Sequence, residues 1–515
     1  MKKSIIYLLL ICIAVGAVMS GCGNELSKAD QDVEADTDIL LEMEESESNI
    51  LMETETEEAA FGESVKEPRE TFIMQGEQIT EEGNDSAIPI YTVSDLKNIP
   101  KGTDEKYILM ADIDCSGLDS MIEHFQGIFE GNYHQLVNLK KPLFNALDNG
   151  TVSNLAIINT LSNTAGLVGD MTKGRVYNCY VTGEIGTGDN NQVRAGLIER
   201  ILGYGCSIEY CYNAATIHAS QGYEEVGGII GTIVYNGPSD SGGIVVNCYQ
   251  CENYGTIYVN GSNSAGGICG YLDTRDYCGG NYCEYQISSC FNYGSLLNVN
   301  KSVLVTGDGV GGILGCISAY PKTQGSRVSI SVSFNSNYGK IFVSEESLAN
   351  KDSISIGGIL GKVETLENLS DVYVNLTDNL NAGFVNKESA AICYSFDMKG
   401  GDISIANCID FTDSEHHVYG YRESGINTND NLSVENCYFL KKEESDASRD
   451  AHGLTEEEMR DINNFDFYIY DGSFTEGDPD GWAMNSAVNH GYPYLLDYDQ
   501  YMEIIEGAAQ EVPQP

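Results

Sequence analysis

The sequence has little positive charge. Its 28 Lys and Arg residues stand against 77 Asp and Glu residues, which gives a formal net charge of −49. A protein that neutralises nucleic-acid phosphates needs clustered Lys and Arg side chains, so we predict no nucleic-acid partner. Anionic lipid headgroups should repel the same acidic surface.

Long apolar runs are scarce as well, because the chain has one such run, at residues 5–18. Roughly 14 residues are too few for a membrane span, which takes about 20, but they suit the apolar region of a signal peptide. Lys2 and Lys3 precede the run, and residues 18–22 (VMSGC) follow it. This ending resembles the lipobox of bacterial lipoproteins, with Met19 where Leu is commoner.

The lipobox resemblance implies that the signal peptide 1–21 is removed and that Cys22 carries a diacylglycerol on its sulfur. The protein would then sit on the extracytoplasmic face of the cell membrane, with the Cys22 lipid as its membrane contact, since several acyl chains hold a protein far better than one. An ordinary secretory signal that is cut elsewhere is the alternative. Both interpretations place the mature chain outside the cytoplasm.

Residues 22–87 lack the apolar content of a folded domain. Acidic residues dominate the segment, and Lys28, Lys66 and Arg69 are its few basic residues. Such a segment buries too little apolar surface to offset the entropy of ordering, and its charges repel one another. We predict a disordered, extended tether, with a short helix around residues 39–52 as the alternative.

A repeated unit begins at Gly166. Its first element is Gly-apolar-apolar-Gly, and its second element starts with Cys or Asn and usually ends in Gly-x-Ile or Gly-x-Leu. The first element begins at Gly166, Gly228, Gly267, Gly312 and Gly358, with degenerate copies at Gly196 and Ala391. The second begins at Cys179, Cys211, Cys251, Cys290 and Asn335. Short strands without a helical period cannot bury a face alone, but stacked coils share one core. We therefore expect the aligned cysteines to form an inward ladder with a packing role.

These repeats resemble the GLUG motif of bacterial surface proteins. The resemblance implies an all-β fold, a right-handed parallel β-solenoid, with a small C-terminal cap that contains a short helix. We assign residues 88–150 to N-terminal capping coils, 151–445 to the solenoid, 446–496 to the cap and 497–515 to a tail. Thr455 and Glu458 predict a capping box at the helix start, and Trp482 is expected to close the last coil.

Three consecutive repeats are lengthened at the same place, over Thr232–Val246, Tyr271–Gln286 and Cys316–Val328. Equivalent insertions emerge on one face of a solenoid, which is often the binding face. Tyrosines beside carboxylates suit sugar rings, which present apolar faces and hydroxyl edges. Solvated hairpins without a ligand are the alternative. The candidate ligand-binding residues are Tyr235, Tyr271, Asp273, Arg275, Asp276, Tyr277, Tyr282, Tyr285 and Tyr320.

Catalytic and metal-binding motifs are lacking. The sequence has neither His-Glu-x-x-His nor Gly-x-Ser-x-Gly, so we predict no catalytic residue, no metal and no cofactor. The pair Cys248 and Cys251 has CxxC spacing without a second pair at zinc distance, which favours a packing role. Other open alternatives are a Cys278–Cys283 disulfide and a calcium site on carboxylates. The calcium candidates are Asp273, Asp276 and Asp308.

The prediction for function is a surface-anchored lipoprotein whose solenoid is a non-catalytic binding or adhesion module for an extracellular glycan or protein. One alternative is a carbohydrate-active β-helix enzyme, either a polysaccharide lyase or a glycoside hydrolase. A glycosidase needs two carboxyl groups, which Asp273, Asp276 and Glu284 could supply. A structural spacer is the other alternative.

Overall fold

The computed structural model describes most of the chain from residue 86 onward. The described ranges are 78–80, 86–186, 193–219, 224–235, 243–260, 262–274, 282–298, 309–319, 327–344, 354–365, 371–386, 389–398, 400–412, 414–422, 432–442, 448, 450–470, 481–484 and 489–496. The predicted signal peptide, the predicted lipidation site Cys22, most of the predicted tether and the predicted tail lie outside these ranges. Within them, no helix has the length and apolar character needed to cross a membrane.

The described chain is a parallel β-solenoid, as predicted. Each coil lays one strand or strand pair on each of three faces, and each strand pairs in parallel with the strands of the coils before and after it. In chain order within a coil, we name these the motif face, the middle face and the ladder face. The first two full coils run around all three faces as the single bent strands Phe144–Ser162 and Val168–Ile185.

The remaining strands fall into groups. The motif face holds Ile198–Ile201, Ile230–Val234, Cys269–Asp273, Leu314–Ser318, Leu360–Thr365, Cys393–Met398 and Tyr419–Arg422. The middle face holds Cys206–Glu209, Gly243–Tyr249, Tyr282–Ser288, Arg327–Ser333, Val372–Thr377, Asp402–Ala406 and Leu432–Glu435. The ladder face holds Tyr212–His218, Glu252–Asn253, Ile257–Tyr258, Phe291–Asn292, Leu296–Leu297, Ser336–Asn337, Ile341–Phe342, Leu380–Asn381, Ile409–Asp410 and Tyr438–Leu440.

Shorter elements complete the fold. A second parallel sheet precedes the motif face and comprises Arg194–Ala195, Glu224–Gly227, Ser262–Gly266, Gly309–Gly311 and Ile356–Gly357. The N-terminal coils contribute Ile88–Ile90, Lys106–Leu109, Ile113–Asp114, Ile128–Glu130 and Gln135–Val137. The C-terminal part contributes the strands His452–Leu454, Trp482–Ala483 and Tyr494–Leu495. The helices are Val93–Lys97 and Glu456–Met459, and the 3₁₀ turns are Ile462–Asn464 and Asn489–Gly491.

Alternation of apolar and polar residues produces the middle face. In Arg327–Ser333, the side chains of Val328, Ile330 and Val332 are buried, and the serines between them point outward. Successive side chains of a strand point to opposite sides, so this period of two places one row in the core and one on the surface.

The corner between the middle and ladder faces has the same backbone conformation in nine successive coils. One residue there takes a positive φ, and Asn is the commonest residue, because it tolerates the left-handed region better than most. The corner residues are Asn154, Asn178, Tyr210, Gln250, Ser289, Phe334, Asp378, Asn407 and Asn436, with φ between 49° and 57°.

The residue after each corner points into the core. The predicted cysteine ladder is confirmed, since all of its members are buried. Its column reads Cys179, Cys211, Cys251, Cys290, Asn335, Asn379, Cys408 and Cys437. The two Asn members donate from their amides to backbone carbonyls of the middle face, which satisfies them in the core. The thirteen cysteines among the described residues are all buried, and Cys278 lies outside those residues.

A second buried column is made of asparagine amides. Asn213, Asn253, Asn292, Asn337 and Asn381 stack on the ladder face, and each Nδ2 donates to the next Oδ1 over 2.8–2.9 Å. In the motifs that begin at Gly196, Gly228, Gly267, Gly312 and Gly358, the first glycine lies against one of these amides, so the two repeated sequence elements contact each other in the core. We call this column the amide ladder.

Each of the two helices has a capping box at its N-terminus. The Thr455–Glu458 box is present as predicted. The N-terminal helix has Thr92 as its N-cap. Thr92 accepts a hydrogen bond from the Asp95 amide, and the Asp95 carboxylate accepts one from the Thr92 amide over 2.9 Å.

The C-terminal segment packs on the side of the solenoid and not on its end, which corrects the prediction for Trp482. The strand His452–Leu454 continues the stack by pairing with Tyr438–Leu440. Trp482 packs in an apolar cluster with ladder-face residues that include Leu380, and its indole N–H donates to Asp378 over 3.3 Å. Outward apolar residues on the last coils make this lateral site favourable.

His218 provides a prediction for the pH dependence of stability. Its ring stacks on Tyr258 with centroids 5.1 Å apart. Burial lowers its pKa, Glu184 opposes that effect, and the charge of Arg194 adds to it. The folded state therefore prefers the neutral form of the His218 imidazole. The contribution of His218 to stability is present above about pH 6.5 and is lost as the pH falls below that value.

We expect His218→Gln to lose less stability between pH 7.5 and 5.5 than the native chain, because one proton-linked penalty is removed. Urea unfolding followed by circular dichroism at both pH values measures the difference. The same acid dependence in both proteins would contradict the assignment.

Candidate functional site

A cleft of about 300 Å³ lies between the middle face and the C-terminal segment. Among the described residues, its lining consists of hydroxyl, amide, aromatic and apolar side chains together with one glycine. The lining residues are Tyr249, Gln250, Gln286, Ser288, Ser289, Ser331, Ser333, Phe334, Gly481, Leu495 and Leu496. We call this site the cap cleft.

Strand register brings the polar side chains together. Gln286 pairs with Ser331, and Ser288 pairs with Ser333, in adjacent middle-face strands. Their neighbour Ile287 is buried, so these four side chains share the outer surface. The floor of the cap cleft is thus a two-by-two array of amide and hydroxyl groups.

The corner residues form one wall of the cap cleft. Gln250, Ser289 and Phe334 occupy equivalent corners of three successive coils, all with positive φ. Gln250 is only 8% exposed, and its Oε1 has no hydrogen-bond partner among the described residues. A buried acceptor without a donor costs about 1–3 kcal/mol, so this atom is prepared for a donor from a ligand.

Gly481 lets the C-terminal segment approach closely. Its φ is +115°, and a Cβ there would come within 2.9 Å of the Phe334 ring. A residue with a side chain would push the segment outward and widen the cap cleft.

An aromatic column leads to the cap cleft along the solenoid. The rings of Tyr177, Tyr210 and Tyr249 are packed edge to face, with centroids 5.4 and 5.8 Å apart. All three side chains are partly exposed. The column ends at Tyr249, which belongs to the cleft lining, so the aromatic surface and the cap cleft are continuous.

The chemistry of the lining favours binding. The described lining residues include no carboxyl, imidazole or thiol group. Hydroxyls and amides beside aromatic rings match the hydroxyl edges and apolar faces of a sugar.

Four of the residues predicted to bind a ligand lie in the core instead. Tyr235 and Tyr285 are 1% exposed, Asp273 is 4% exposed and Tyr271 is 5% exposed. The ends of the lengthened segments continue the motif-face and middle-face strands, so alternate side chains point inward. The Tyr271 hydroxyl, for example, donates to Ser318 Oγ over 2.7 Å. These four residues pack the solenoid.

The other candidates are placed differently. Tyr282 is 41% exposed, and the Arg327 guanidinium lies 5.8 Å from its ring centroid. Glu284, on the same strand, accepts a hydrogen bond from the Gln286 amide over 2.6 Å. The remaining residues lie outside the described ranges, namely Arg275, Asp276, Tyr277, Cys278, Asp308 and Tyr320.

One buried acid and imidazole pair lies at the end of the amide ladder. His417 Nδ1 is 2.6 Å from Asp410 Oδ2, and its ring stacks on Phe439. Ser414 donates to the Asp410 carboxylate. A nucleophilic serine would instead donate to the imidazole, so this cluster lacks the order of a catalytic triad.

Sequence reasoning missed the cap cleft, since its residues lie in unremarkable Ser-rich strands and in a segment about 200 positions away. A usable signal is the aromatic residue at the corner or directly before it, at Tyr177, Tyr210 and Tyr249. Whether these aromatic rings form one column depends on the register between coils.

Comparisons with known proteins identify no family for this chain. No protein-family model and no curated protein sequence matches it. One similar solved structure is a candidate immunoglobulin A1 protease from Bacteroides ovatus, with 16% identity, a TM-score of 0.33, and coverage of 82% of this chain and 94% of that one. A second, an IgA1 protease, has 16% identity, a TM-score of 0.36, and coverage of 71% of this chain and 23% of that one.

Proposed function

We propose that this protein is a non-catalytic module that binds an extracellular glycan in the cap cleft, held at the cell surface by the lipid on Cys22. The observation that supports this most directly is a cleft lined by hydroxyls, amides and aromatic rings, in which the lining residue Gln250 has a buried side-chain carbonyl without a hydrogen-bond partner. A sugar hydroxyl is a donor of the right kind for that atom.

The proposal specifies a neutral glycan. The described lining residues carry no charge, and the chain has a net charge of −49, which repels acidic sugars at long range. A volume of about 300 Å³ is at the lower end for small-ligand pockets, so the cap cleft suits one or two sugar rings. The tyrosine column would support further rings of a longer chain by stacking.

The cell-surface position rests on the sequence. The lipobox-like segment 18–22 and the acidic tether 22–87 suit a protein that carries its solenoid away from the membrane. Binding of a protein partner and catalysis on a polysaccharide are the other candidate functions, and they become outcomes of the test.

An array of neutral oligosaccharides, followed by calorimetry on the best binder, tests the proposal with the whole chain. We expect Gln250→Asn to weaken binding about tenfold or more, because the shorter amide withdraws its acceptor from the cleft. Asn tolerates the positive φ at this corner, so the fold is retained.

Ser404→Ala is the matched control. Ser404 lies in the same outward row as Gln286 and Ser331, beyond the cap cleft, and its loss should leave the affinity unchanged. The proposal is wrong if no neutral glycan binds, if only proteins bind, or if Gln250→Asn and Ser404→Ala bind equally well. Cleavage of a bound polysaccharide would support the enzyme alternative instead.

A further inference from the structure

One inward row of the middle face, the row that contains Ile208 and Ile287, has a single departure from its aliphatic pattern. The aligned core residues are aliphatic in eight of nine successive coils, and the exception is Cys248. The row reads Val152, Val176, Ile208, Cys248, Ile287, Val332, Leu376, Ile405 and Val434. A thiol fills less space than Ile or Val, so packing alone does not account for this residue.

The departure places a third thiol beside two members of the cysteine ladder. Cys251 follows Cys248 across the corner of the same coil, and Cys290 belongs to the next coil. The three sulfur atoms all lie within 4.8 Å of one another, and the side chains are fully buried. The Sγ atoms of Cys248 and Cys290 are 3.9 Å apart.

Without a metal, the cluster suits the core as neutral thiols. Full burial disfavours a charged thiolate in the absence of a cation. A cation changes this balance, since a thiolate is the form that binds metals. Each thiol that becomes a ligand in its thiolate form releases one proton to the solvent.

We propose that Cys248, Cys251 and Cys290 form a buried three-sulfur site for Cu(I). The 3.9 Å separation of Cys248 Sγ and Cys290 Sγ matches one edge of a trigonal site whose metal–sulfur distances are about 2.3 Å, a normal value. The Cys251 sulfur lies within 4.8 Å of both. Sulfur-only ligation selects soft metals, namely Cu(I), zinc and iron–sulfur clusters. Structural zinc and iron–sulfur clusters take four protein ligands, and this cluster offers three.

The order of folding explains how an ion reaches a fully buried site. Cys248 and Cys251 come from one coil and Cys290 from the next, so the site is complete only when these coils pair. An ion bound first by the CxxC pair would be enclosed as the next coil docks, and it would stabilise that pairing because it binds the folded state.

The test uses the whole chain produced and purified anaerobically from cells supplied with copper. Elemental analysis after competition with a Cu(I) chelator measures the retained metal, and X-ray absorption identifies the ligand atoms. We expect one Cu(I) per chain with sulfur as its only ligand atom. Cys248→Ile should abolish retention while leaving the fold intact, because it restores the aliphatic row.

Cys393→Ala is the matched control, since Cys393 is a buried thiol outside the cluster, and it should retain copper like the native chain. The proposal is overturned if the native chain retains no more copper than Cys248→Ile, or if zinc is retained in place of Cu(I). A Cys248–Cys290 disulfide in the anaerobically purified protein would also overturn it.

Discussion

Replacing Gly312 with Ala is expected to lower the free energy of unfolding by about 4 kcal/mol. Gly312 is the first residue of its Gly-Ile-Leu-Gly motif, and a methyl group there would overlap the carbonyl oxygen of Gly358 and the side-chain amide of Asn337. Neither neighbour can yield at low cost, because one is backbone of the next coil and the other belongs to the amide ladder.

Gly117→Ala serves as the control for this substitution. A Cβ at Gly117 meets nothing within 4 Å, and its φ lies outside the positive range, so the change should alter stability by less than about 0.5 kcal/mol. Guanidinium unfolding by circular dichroism compares the two variants, and hydrogen exchange locates the destabilised coils. Equal stability of both variants would show that the motif glycines are not required by close packing.

Asn292→Ala is expected to cost about 3 kcal/mol, because it interrupts the amide ladder at its centre. Asn292 accepts from Asn253 and donates to Asn337, each over 2.8 Å, and it also donates to the carbonyl of Gly294. Its loss leaves buried donors and acceptors on both neighbouring coils without partners, in a region that excludes water.

The double variant Asn253→Ala with Asn292→Ala separates a ladder from independent contacts. We expect the double variant to lose about 1–2 kcal/mol less stability than the sum of the two single variants. The reason is that the first change already leaves the second amide without its hydrogen-bond partner. Asn375→Ala, on the outer side of the middle face, should be nearly neutral. Strict additivity of the two ladder changes would contradict cooperative stacking.

The Asn292→Ala substitution should also affect the cap cleft. Asn292 lies in the coil that supplies Ser288 and Ser289 to the cleft lining, so a disordered ladder should loosen the array that binds the ligand. A loss of glycan affinity in Asn292→Ala would therefore follow from its loss of stability, whereas Gln250→Asn should affect affinity alone.

The repeat was sufficient to predict the solenoid and its cysteine ladder. A glycine at a fixed place in each unit and a small thiol at another are needed wherever coils stack at β-sheet spacing. The amide ladder was less visible, because Asn213, Asn253 and Asn292 look like turn residues in a single sequence, and turns are where Asn is commonest.

The predicted binding residues show where such reasoning fails. The lengthened segments with Tyr235, Tyr271 and Tyr285 looked like surface insertions, since they lie between two recognisable elements. Their ends are regular strands, and a shift of one residue in register exchanges the core side for the outer side. Whether a given tyrosine is buried was therefore decided by register, which the repeat spacing does not define.

The sequence by itself determined that short strands stack into coils, because only this arrangement buries one apolar row per strand. It also predicted the capping box at Thr455, whose bonds span three residues. The tertiary structure alone decided the cap cleft and the three-thiol cluster. Gln250 and Gly481 line one cleft although more than 200 positions separate them. Cys248 and Cys290 come from two successive coils, so each site exists only once the coil register is set, and the cap cleft also requires the lateral docking of the C-terminal segment.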